Sequence, residues 1–89
     1  MVVRGPDDAT TRHLESVAED IRGLLGAGID LQEVVAALEP NAASISARYR
    51  LGDRTGESVG RGENLIEAHA RLRAAIVEDR IGLGLSVLV

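Results

Sequence analysis

The chain has 89 residues, 45% hydrophobic and 27% charged, which separates it from disordered sequences and leaves room for one core only. It contains no cysteine, so disulfide scaffolds and thiolate metal sites are excluded. No apolar run approaches the roughly 20 residues needed to span a bilayer, and the net charge of −4 argues against a nucleic-acid backbone as the main partner.

Tyr49 is the only aromatic residue. The core must therefore be built from Leu, Ile, Val and Ala, without the large areas that aromatic rings bury. A small domain of that kind has little stability to spare, so self-association or docking on a partner is expected. All ten basic residues are arginine. The opening Met1-Val2-Val3-Arg4-Gly5 lacks the apolar run of a signal peptide, so a cytoplasmic location is expected.

Residues 1–6 read as a flexible lead-in, and residues 7–89 as one small α+β domain. Leu14, Val17, Ala18, Ile21, Leu24 and Leu25 recur in steps of three and four, the spacing of one apolar stripe on a helix. Asp7 or Asp8 can cap its start, and Gly26-Ala27-Gly28 ends it. A second helix is predicted from Asp30 to Glu39. Asp30 and Glu33 have capping-box spacing, Ile29 and Val34 that of a hydrophobic staple, and Pro40 a stop. Leu31, Val34, Val35 and Leu38 would be its buried face, and the two helices would form a hairpin.

The period then changes to two. Ile45, Ala47, Tyr49 and Leu51 alternate with Ser44, Ser46, Arg48 and Arg50, as in a strand with one wet face. Gly52 to Gly56 reads as a turn, and Glu57 to Arg61 as a short return strand near an edge, with Val59 its only apolar residue. Asn64 and Glu67 then open another helix, with Leu65, Ala68, Leu72, Ala75 and Ile76 buried, running to about Arg80. Glu67 and Arg71 are set for an i,i+4 ion pair. In the final stretch, Ile81, Leu83, Leu85, Val87 and Val89 occupy every second position around Gly82, Gly84 and Ser86. This reads as a strand with one aliphatic face. The expected fold is α+β in the order α-α-β-β-α-β: a helical hairpin, a β-hairpin, a long helix and a C-terminal strand, with the helices on one face of a small sheet.

The motifs carry little chemistry. Gly56-Glu57-Ser58-Val59-Gly60 matches the string of a hydrolase nucleophile elbow, but the helix starts too late and the chain is too short for that architecture. Gly60-Arg61-Gly62 before a helix resembles a phosphate-cradling turn, yet Glu63 and Glu67 put negative charge where the phosphate would sit. His13 and His69 lack the paired spacing of metal ligands and read as surface histidines. Glu15, Glu19 and Asp20 read as a solvated helix face. No catalytic residue, metal site or cofactor is assigned.

Arg48, Arg50, Arg54 and Arg61 are candidate contacts for an anion or an acidic partner. The function expected is a non-catalytic interaction or oligomerisation module, most simply a homodimer, with Leu83, Leu85, Val87 and Val89 as anchors. An apolar open strand is an aggregation hazard unless it is covered. A nucleic-acid-associated regulator using the four arginines ranks second, although the aromatics that would stack on bases are missing. An accessory or ligand-sensing subunit of an enzyme ranks third.

Overall fold

A computed structural model of the chain describes residues 1–82. The elements are β1 (Val2–Arg4), α1 (Asp8–Leu25), β2 (Asp30–Glu39), β3 (Ala42–Leu51), β4 (Arg54–Gly62) and α2 (Leu65–Gly82). The four strands form one sheet in the order β1-β2-β3-β4. β1 runs parallel to β2, and the other neighbours are antiparallel. The α+β class holds, but the order is β-α-β-β-β-α rather than α-α-β-β-α-β. No helix among the described residues is long and apolar enough to cross a membrane.

Three expectations are corrected. Within the supposed lead-in, Val2–Arg4 is an edge strand paired with Glu33, Val34 and Val35. The supposed second helix is β2, and its misreading has a specific physical cause. Leu31 pairs with Tyr49 and Glu33 with Arg48, so the register shifts at Gln32. The extra residue of this β-bulge resets the alternation. Leu31 and Val34 therefore both face inward at a spacing of three, imitating a helix. Beyond the bulge the alternation is regular, with Val34 and Ala36 buried. Finally, Ile81 and Gly82 continue α2 instead of opening a strand. Residues 83–89, with the expected anchors Leu83, Leu85, Val87 and Val89, lie outside the described residues.

Other readings match. Asp7 caps α1 by accepting from the Thr10 N–H at 2.7 Å. That bond, made chiefly to the backbone amide, holds the Asp7 carboxyl below its usual pKa. The helix buries Leu14, Val17, Ala18, Ile21 and Leu25 and stops at Gly26, whose φ of 81° suits glycine. β3 and β4 form the expected hairpin, longer on the β4 side. Its turn is only Gly52-Asp53, with Gly52 at φ 63° and no non-glycine residue at positive φ, the pattern of a type II′ turn. Asn64 caps α2 through the Glu67 N–H at 2.9 Å, and Glu67 pairs with Arg71 at 3.3 Å.

Both helices lie on one face of the sheet. Leu31, Val34, Ala36, Ala43, Ile45, Ala47 and Tyr49 from the strands join the α1 stripe and Ala68, Leu72 and Ile76 of α2 in one core. α2 comes unusually close to β4. The helix-facing positions of that strand are Gly56, Ser58, Gly60 and Gly62, and a methyl group at Gly60 would sit 2.1 Å from the Ala68 carbonyl oxygen and 2.3 Å from the Leu72 nitrogen. The Gly-Glu-Ser-Val-Gly string is thus a small-residue track on which a helix backbone rests.

Candidate functional site

The expected arginine contacts are dispersed. Arg48, Arg50 and Arg61 share the open face of the sheet, whereas Arg54 lies opposite Leu51, on the helix side of the alternation. Arg61 faces Ser44, four residues from Arg48 along β3, or about 14 Å at the rise of a strand. Acidic residues are interleaved with them. Arg50 is opposite Asp30, and Arg48 lies between Glu33 and Glu57 across its two neighbouring strands. The Arg48 to Glu57 pair closes at 3.7 Å with both side chains more than half exposed, so its worth is small. The open face is charge-balanced, not basic.

Two buried or half-buried polar clusters join elements of the fold. In the first, Arg73 of α2 donates to both carboxylate oxygens of Asp20 in α1, and His69 Nε2 lies 2.7 Å from Asp20 Oδ2. Asp20 is therefore no free member of a solvated face, and His69 is no bare surface histidine: the pair cross-links the two helices. Partial burial pushes the Asp20 carboxyl up, but the hydrogen bonds from Arg73 and His69, with their charges, outweigh it, and the net pKa is lowered. A carboxylate with a lowered folded-state pKa adds stability above its unfolded pKa and loses it as pH falls through the folded value. The stability difference between pH 6 and pH 3, measured by urea denaturation, is expected to be smaller in Asp20→Asn than in the parent. An identical acid dependence in the two would refute the assignment.

In the second cluster, Tyr49 of β3 donates to Asp79 of α2. Because that spends the one phenolic proton, Ser58 of β4 donates to the phenol oxygen at 2.8 Å. The serine of the apparent nucleophile elbow is 5% exposed and ties β4 to β3. The Gly-Arg-Gly segment is the end of β4, not a turn, and is likewise occupied by its own chain. Glu67 Oε1 accepts from the Glu63 N–H at 3.4 Å, and the Arg61 carbonyl accepts from Arg71 at 3.1 Å. Among the described residues no three His, Asp or Glu side chains converge as metal ligands.

The surface with the character of a binding site lies elsewhere. A groove of about 510 Å³ is lined by His13 of α1, by Leu38, Glu39, Ala42 and Ala43 at the end of the β2–β3 hairpin, and by Glu63 to Ile66 at the start of α2. Its walls are mainly aliphatic. Leu38 is 44% exposed and Ile66 77% exposed, both large apolar groups left in water. At the same place the Nε2 atom of His13 is buried without a hydrogen-bond partner. Desolvating such an atom unpaired costs about 1–3 kcal/mol, and native structures rarely leave one so. A mainly aliphatic groove with a few polar groups on its walls is the usual form of a recognition site.

Sequence reading did not find this groove. The spacing of Leu38 predicts the buried face of a helix, and the isolation of His13 a surface residue. Ile66 was the available signal, because it is a large apolar residue outside the buried stripe of its own helix. The sequence matches no known protein-family model and no curated protein.

Proposed function

We propose that this chain is a non-catalytic protein-interaction module that self-associates, with Leu83, Leu85, Val87 and Val89 as anchors. The observation that carries the reading is the mainly aliphatic groove that leaves Leu38 and Ile66 exposed. Aliphatic groups of this size gain about 1.5–3 kcal/mol each on full burial, which an aliphatic segment of a partner chain would supply. The Tyr49 hydroxyl, Ser58, Asp20 and His69 are engaged in joining strands and helices, which supports a structural role for them. The regulator reading is the weaker, since acidic residues stand opposite Arg48 and Arg50 and would repel phosphates.

The test is light scattering coupled to size-exclusion chromatography over a concentration series. A mass rising toward twice 9.4 kDa, and returning to one copy in Leu85→Asp, is expected. A single-copy mass at every concentration would end this reading.

A further inference from the structure

Resting on that reading, we infer that the groove at the start of α2 receives residues 83–89 of a second copy of this chain. The groove and the segment suit each other chemically. Residues 83–89 carry no charged side chain, and Leu83, Leu85, Val87 and Val89 alternate with Gly84, Ser86 and Leu88. Laid extended, such a segment turns one aliphatic row toward Leu38, Ala42 and Ile66, which line the groove. Gly84 and Ser86 let its backbone come close, and a backbone presents N–H and C=O groups in turn.

Length decides which copy supplies the segment. The groove touches the first turn of α2, at Leu65 and Ile66, whereas residues 83–89 leave from its far end at Gly82. The helix has 18 residues and is about 27 Å long. Seven residues reach at most about 25 Å when fully extended, before any is spent on reversing direction. Val87, five residues beyond Gly82, reaches at most about 18 Å, so Leu83, Leu85 and Val87 cannot return to the groove of their own molecule but can enter that of a neighbour. Reciprocal exchange about a two-fold axis closes the assembly at two copies.

The experiment uses the full chain with Leu85→Asp, Ile66→Asp and an equal mixture of the two, each sized by light scattering. Ile66 is 77% exposed, so its replacement leaves the core untouched, and far-UV circular dichroism confirms that each variant is folded. Leu38→Asp serves as a second groove variant. Each variant alone is expected at 9.4 kDa, and the mixture at twice that, because the intact segment of one partner meets the intact groove of the other. If both groove variants keep the parent's doubled mass while Leu85→Asp is single, the segments pair with each other and the groove inference falls. A doubled mass in all variants also overturns it, leaving self-association by another surface. A parent that is itself single would remove the self-association reading as well.

Discussion

Gly60→Ala is expected to lower the unfolding free energy by about 3 kcal/mol, at the upper end of the usual cost of overpacking. One methyl group has this effect because of what it meets. It would lie 2.1 Å from the Ala68 carbonyl oxygen and 2.8 Å from the Leu72 Cα, which are helix backbone atoms that no rotamer change can move. α2 would have to lift off β4, and Ala68, Leu72 and Ile76, all fully buried, would lose part of their packing. The counterpart is Gly23→Ala in α1, where nothing lies within 4 Å of the new methyl group. There the better helix propensity of alanine should raise stability by about 0.5–1 kcal/mol. Urea denaturation of the two variants checks both signs. A Gly60→Ala chain as stable as the parent would mean that α2 does not rest on β4 in this way.

Tyr49→Ala should cost about 3–5 kcal/mol, the range for removing a buried aromatic side chain. Tyr49 is fully buried and is the only ring in a core otherwise made of aliphatic groups. Tyr49→Phe separates the ring from its hydroxyl. It keeps the volume but strips Ser58 and Asp79 of their shared partner, at about 1–3 kcal/mol. Burial first, and the hydrogen bond to Asp79 second, push the phenol pKa from 10.0 up to about 12. A raised phenol pKa means that the unfolded chain loses its proton first. Stability should therefore be intact below pH 10 and fall as pH rises from 10 toward 12. Denaturation at pH 8 and pH 11 tests this. Tyr49→Phe should lack that alkaline component, and an unchanged alkaline slope would refute the assignment.

Local signals were readable where they agreed with the tertiary structure. The α1 stripe, its Asp7 cap and its glycine stop are all local, and so is the alternation of Ile45, Ala47 and Tyr49 in β3. The β2 strand was hidden because the bulge at Gln32 gave Leu31 and Val34 the spacing of a helix, and Asp30 with Glu33 completed the disguise. β1 offered only three residues, and its pairing with Glu33 to Val35 is invisible to any short window. For the candidate site the limitation was similar. His13, Leu38 and Ile66 come from α1, β2 and α2, and no spacing within one element announces a groove that three elements assemble. The small-residue face of β4, by contrast, was visible as a glycine-rich string, although only the helix above it explains the glycines.

The parallel position of β1 bears on how the chain assembles. β2, β3 and β4 are joined by two-residue turns, so their ladders can zip from contacts close in sequence. Matching Val2 to Glu33 instead closes a loop of roughly thirty residues, an entropic cost that only a formed α1 and β2 can repay. On a ribosome the first strand emerges before its template exists, and it must wait in water until the chain has grown past Val35. The N-terminal strand would then be the last piece of the sheet to lock and the first to let go.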